Sequence, residues 1–278
     1  MGSLNRLTQR SRPNEEPWPE LERRNFRIEK AERIFEFAEI QPTEPSNVLV
    51  LHFPGFGMDG IADAESIHVS MGQKYHTLAL KGYGHIYSRD ALVEAISSAI
   101  QITGQGKKVV LQGNSFGATI IYDLVSDQKT RDFLERNNIV GAILETPVLD
   151  RMHLAAKLKN LPDAMLVWGA QQIAQIRSGP IGRGKELDKH MLQEALRVKS
   201  GGKIEIPIHV IFAQNESLAN NEQTLVTLQK QAEKMSIDTV SSSPSNGHVI
   251  ANYEAMRESE IAIVDRFCGR GEASTTTT

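Results

Sequence analysis

The stretch Lys108-Val109-Val110-Leu111-Gln112-Gly113-Asn114-Ser115-Phe116-Gly117-Ala118-Thr119-Ile120-Ile121-Tyr122-Asp123-Leu124-Val125 decides how the chain is read. Lys108 to Gln112 is an apolar run of strand length, and Ala118 to Val125 has helical character. Between them, Gly-Asn-Ser-Phe-Gly leaves room only for a very tight turn. The small residues flanking the central triplet let the backbone reverse without a side-chain clash. A strand, a sharp turn and a helix in this order present the Ser115 hydroxyl at the C-terminal edge of a sheet, the setting of a serine nucleophile. The bare Gly-x-Ser-x-Gly spacing is a weak signal, so its meaning depends on partners elsewhere in the chain.

Working outward, short apolar runs alternate with helical patterns, which predicts an α/β protein with a mostly parallel central sheet covered on both faces. Strands are expected at Ile34–Ile40, Asn47–Phe53, Thr77–Leu80, Lys108–Gln112, Val140–Leu144 and Pro207–Phe212, with a weaker one at Ser236–Val240. Asp90 to Ile102 reads as a helix with Leu92, Ile96 and Ile100 on one stripe, ended by Gly104 and Gly106. Tyr253 to Phe267 reads as the closing helix. The alternation breaks between Asp150 and Glu205, where Leu154, Leu158, Leu161, Met165 and Trp168 recur at helical steps. That block is expected to be a helical cap inserted over one edge of the sheet. The expected organisation is therefore an N-terminal arm (1–25), a discontinuous core (26–149 and 206–270), the cap (150–205) and a disordered tail (271–278).

The 278 residues are 40% hydrophobic and 23% charged, ordinary for a soluble globular chain. A net charge of −3 offers no field for nucleic acid or an anionic membrane. The single cysteine, Cys268, rules out an internal disulfide and any cysteine-based metal cluster, and reads as a small hydrophobe in a terminal helix. No apolar stretch reaches the roughly 18 residues of a membrane span. Met1 to Asn25 lacks the apolar core of a signal sequence, so a cytoplasmic protein is expected and the Asn215-Glu216-Ser217 glycosylation pattern is incidental. Gly179-Pro180-Ile181-Gly182-Arg183-Gly184-Lys185 has the spacing of a phosphate loop up to its lysine. It is followed by Glu186 instead of Ser or Thr and has no preceding strand, so no nucleotide is expected. No cofactor or metal is implied.

A serine needs a base within hydrogen-bond reach, and the base needs a third group to fix its tautomer. Of the eight histidines, His248 alone combines a late position, a turn-rich loop before it and a helix directly after it. The acid candidates are Glu216, in the turn after the strand Pro207–Phe212, and as the alternative Asp150, after Val140–Leu144. Glu145 lies nearer its strand and is expected to bond locally. The oxyanion hole needs two backbone N–H groups. Phe116 follows the nucleophile and Phe56 lies in the early loop His52-Phe53-Pro54-Gly55-Phe56-Gly57, where flanking glycines free its backbone. Met165 and Trp168 are candidates for the substrate pocket.

From Val48 to His248 this order of features resembles the α/β-hydrolase superfamily, and within it the capped serine hydrolases. The signposts are His52-x-x-Gly55-x-Gly57, then Gly82-Tyr83-Gly84, the elbow, a helical cap, an acid loop and a late histidine. The resemblance implies the chain order nucleophile, acid, histidine, which Ser115, Glu216 and His248 satisfy. Asn114, Ala118 and Glu216 stand where the family commonly has histidine, glycine and aspartate. The Asn-Ser pairing recurs in capped members, including hydrolases of carbon–carbon bonds. The expected activity is hydrolysis of a carboxylic-ester-type acyl bond in a small, largely apolar substrate. Carbon–carbon hydrolysis, acyl transfer and a non-catalytic ligand-binding protein on the same fold are the alternatives.

Overall fold

The computed structural model describes residues 21–55, 60–81, 89–149, 202–214, 221–240, 242–243, 246–250 and 253–270. An eight-stranded sheet is built from β1 (Arg23–Lys30), β2 (Arg33–Ile40), β3 (Val48–Phe53), β4 (His76–Leu80), β5 (Lys108–Asn114), β6 (Ile139–Glu145), β7 (Ile208–Ala213) and β8 (Met235–Val240). Their spatial order is β1-β2-β4-β3-β5-β6-β7-β8. β3 to β8 run parallel, whereas β2 is antiparallel to both β1 and β4. Every residue of β3, β4 and β7 is buried, which explains why these strands read as continuous apolar runs and not as alternating ones.

Six helices among the described residues cover the sheet: α1 (Gly60–Ser70), α2 (Arg89–Thr103), α3 (Phe116–Ser126), α4 (Arg131–Arg136), α5 (Asn221–Gln231) and α6 (Tyr253–Phe267). Strand periodicity divides the core into two layers. Leu49, Leu51, Phe53 and Leu111 pack with Leu92 and Ile96 of α2 and Ile121 of α3. Val48, Val50, Val110 and Ile143 face the other way, onto Ile67 of α1 and Ile263 and Val264 of α6. The α2 stripe is buried as its spacing predicts, and α6 has the predicted bounds. Cys268 is buried just beyond α6, and burial pushes its thiol pKa up.

Three expectations need correction. Arg23, Arg24 and Asn25, read as arm, belong to β1, which pairs with β2 residue for residue. The charges of β1 disguised its alternation, in which Ile28 is buried and Phe26 stacks on Phe37 at 5.6 Å. The elbow strand runs to Asn114, two residues past Gln112. His248, expected in a loop, falls on a short strand, β10 (Asn246–Ile250), paired with β9 (Ser242–Ser243) and lying alongside β7. The expected cap helices lie outside the described residues. At the end of that segment, Ile204 bridges Ala232 in parallel.

Buried histidines tie the sheet to pH. His68 on α1 is 1% exposed, with Nδ1 2.8 Å from Thr77 Oγ1, and burial lowers its pKa to about 4. Burial also lowers His76 and His209, against the opposing pull of Glu39 and Asp238. A histidine depressed below its unfolded value of 6.5 stabilises the fold fully above that pH. The stabilisation is lost as the pH falls from there toward the folded pKa. The urea midpoint is therefore expected to drop between pH 7 and pH 4.5, with a flatter slope in His68→Gln. An unchanged slope in that variant would exclude His68 as a source.

Candidate functional site

The parallel strands all run toward one edge, and Ser115 leaves β5 there. The chain passes from β3 to β4 on one side and returns to β5 on the other, so the strand order reverses between β3 and β5. A crevice at such a switch point is where open α/β sheets bind ligands. Phe53 and Gly113 are register partners there, with residues 54–59 leaving one strand and Ser115 leaving the other.

Ser115 sits between the last residue of β5 and the first of α3, with φ 52° and ψ −112°. A non-glycine residue in this region is strained by about 1–3 kcal/mol and persists only where its surroundings enforce it. Here the surroundings are explicit. The Ser115 N–H donates to Glu145 O at 2.8 Å, and Ser115 O accepts the Thr119 N–H at 3.0 Å. Thr119 Oγ1 lies 3.2 Å from Ser115 O and from Val148 O and accepts the Val148 N–H at 3.2 Å.

Both elbow glycines are required by contact. A Cβ on Gly117 would stand 2.2 Å from Phe53 O and 2.7 Å from Pro54 O. One on Gly113 would meet Gly117 C at 2.8 Å and Ala118 N at 2.9 Å. The turn is thus wedged against the end of β3, and Ser115 and Phe116 stay partly exposed at the crevice. Phe116 opens α3, at the positive end of the helix, where negative charge is favoured.

No known family model matches this sequence, and no curated protein matches it. Solved structures do match its fold. A fungal esterase from Rhizomucor miehei superposes with a TM-score of 0.59 at 13% identity, over 91% of this chain and 86% of that chain. An arylesterase gives 0.58 at 15% identity, over 93% and 88%. The type II thioesterase BorB of the borrelidin biosynthetic cluster gives 0.51 at 14% identity, over 83% and 95%. The chain has the α/β-hydrolase fold.

In this α/β-hydrolase framework, Ser115 and Phe116 occupy the elbow that the sequence predicts. Phe56, Asp150, Met165, Trp168 and Glu216 lie outside the described residues. The backbone of His248 lies on β10. No group of three or more potential metal ligands occurs among the described residues, and none of their helices is long and apolar enough to cross a membrane.

Sequence reasoning missed a buried polar line behind the elbow, on the α1 and α6 face. Asp63 Oδ2 is 2.8 Å from His52 Nε2, and His52 Nδ1 is 2.5 Å from Gln112 Oε1. Gln112 Nε2 donates to Glu145 Oε1, which also accepts from Arg257 Nη1 at 3.1 Å. Arg257 Nη1 donates as well to Glu260 Oε2. Glu145, expected to bond locally, instead takes partners 33 and 112 residues away in Gln112 and Arg257, and His52 is committed to the sheet interior. The signal was present: His52 and Gln112 are polar residues in strands whose other central residues are apolar, and buried polar groups require partners.

The close packing of the elbow makes two substitutions informative. Gly117→Ala is expected to destabilise the fold by about 2 kcal/mol or more, because its new methyl meets backbone that cannot rotate away. Ser115→Gly should be more stable than Ser115→Ala by about 1 kcal/mol, because glycine accepts the strained backbone without cost. Urea denaturation of the three variants measures both differences.

Proposed function

We propose that this protein is a serine hydrolase that cleaves an ester-type acyl bond in a small, largely apolar substrate. The observation that carries the reading is the strained Ser115, fixed at the head of α3 and at the switch point of the sheet. Strain at a partly exposed polar residue is uncommon and clusters at functional sites. The esterase and thioesterase activities of proteins with the same fold support the choice of reaction class.

In this reading Ser115 Oγ attacks the substrate carbonyl while His248 takes its proton. The N–H groups of Phe116 and Phe56 receive the developing oxyanion, with Phe116 favoured by the helix end it occupies. His248 then returns the proton to the leaving alcohol or thiol. Water, deprotonated by His248, cleaves the acyl-enzyme and frees Ser115. Glu216 holds the imidazole in the required tautomer, and Asp150 is the alternative acid. Two placements favour Glu216. Residues 214–220 follow directly from β7, and the strand bearing His248 lies alongside β7. Met165 and Trp168 would line the acyl pocket from the cap.

Fluorophosphonate labelling with mass location of the adduct, followed by a panel of esters of graded acyl length, tests the proposal. The adduct is expected on Ser115, and Ser115→Ala is expected to lose at least about a thousand-fold in kcat. Turnover retained by Ser115→Ala would sink the mechanism. Glu216→Gln should lower kcat with KM little changed. Full activity there, with loss in Asp150→Asn, moves the acid to Asp150.

A further inference from the structure

The buried polar line touches the flanks of each part that the proposed reaction uses. His52 and Asp63 bracket the segment that contains Phe56. Gln112 lies on the elbow strand, three residues before Ser115. Glu145 does two jobs: its main-chain carbonyl accepts the Ser115 N–H at 2.8 Å, and its side chain is gripped by Arg257. Arg257 stands in the second turn of α6, and only residues 251–252 separate α6 from β10, which carries His248. One guanidinium therefore joins the strand end that holds the nucleophile's backbone to the helix that follows the base's strand.

We propose that Arg257 is a positioning residue of this site, holding the His248 segment in register with Ser115 through a clamp on Glu145 and Glu260. The proposal rests on the serine-hydrolase reading above. The clamp is wholly interior, since Glu145 and Glu260 are 0% exposed and Arg257 is 3% exposed. No N–H or O–H donor reaches Glu145 Oε2 or Glu260 Oε1 among the described residues. Burial drives the Glu260 pKa up, and the neighbouring Glu145 adds to the rise against the pull of Arg257. Burial works against the Arg257 charge, but Glu260 and Glu145 outweigh it and keep the guanidinium protonated. Such a group fixes geometry more than it adds stability, because desolvation consumes most of the attraction. Both bonds leave Nη1, whose two N–H groups are fixed in the guanidinium plane in a way that a rotating lysine ammonium does not reproduce.

The test compares wild type, Arg257→Lys, Arg257→Met and the double variant Glu145→Met/Arg257→Met by melting temperature and by the concentration dependence of fluorophosphonate labelling. Arg257→Met strands a carboxyl pair and should melt well below wild type. The double variant removes the guanidinium together with one of its carboxylates, so it is expected to melt above Arg257→Met. Its maximal labelling rate should still fall about 100-fold, the scale of an ångström misplacement, with the half-saturating concentration changed less than about threefold. Arg257→Lys should recover part of the rate. A folded double variant that labels at the wild-type rate overturns the proposal and leaves the hydrolase reading standing. Should the double variant fail to fold, wild-type labelling by Arg257→Lys overturns it equally. A wild type that takes no label overturns the hydrolase reading and this proposal with it.

Discussion

The near-contact between Gly117 and the end of β3 governs the site. With 2.2 Å separating an ideal Cβ from Phe53 O, α3 can start where it does only if that residue has no side chain. The wedge fixes the first turn of the helix against the switch point and leaves the backbone one way to join β5 to α3. Ser115 absorbs the mismatch at φ 52°. Its strain of about 1–3 kcal/mol is offset by hydrogen bonds on both sides of the residue. Glu145 O receives its N–H, while the Thr119 N–H and hydroxyl lie against its carbonyl. A polar side chain is thereby held at the sheet edge in a conformation that the chain would not choose alone.

The same strand end connects the elbow to charges that water never reaches. Burying Glu145, Arg257 and Glu260 offers little net stability, because each ion loses its hydration. What the arrangement supplies is direction. Gln112 turns its amide N–H to Glu145, so its carbonyl oxygen faces His52, and His52 in turn faces Asp63. Polar contacts of this kind specify partners where apolar packing on Val50, Val110 and Ile143 would tolerate small slips of α1 and α6.

Most of this fold was legible in the sequence because parallel strands buried on both faces leave unbroken apolar runs. Val48–Phe53 and Ile208–Ala213 are of this kind. β1 was hidden because an edge strand buries one side only, and Arg23, Arg24, Arg27, Glu29 and Lys30 dominate its composition. The elbow was legible from local sterics, since glycines on both sides of the Asn114–Phe116 turn report a close approach. The polar line was not, because its members are spread from Asp63 to Glu260 and meet only through strand order. Local pattern carries information about neighbours in sequence, whereas His52, Gln112 and Glu145 become neighbours only once β3, β5 and β6 pair.

A second cluster sharpens what distinguishes the elbow. His209 Nδ1 lies 2.8 Å from Ser236 Oγ and its Nε2 lies 3.3 Å from Asp238 Oδ2, while Ser259 donates to Asp238. Hydroxyl, imidazole and carboxylate are thus in contact, with the residue types of a catalytic triad. His209, however, is 1% exposed within the sheet, and Ser236 lies inside β8 without a positive φ or a helix start beside it. Ser236 is partly exposed like Ser115, but it stands in a regular strand and no helix starts beside it among the described residues. Ser236 and Asp238 supply the partners that the buried His209 ring requires. Ser115 differs from Ser236 in its setting and not in its chemistry: an open switch-point edge, a helix start and a backbone held under strain.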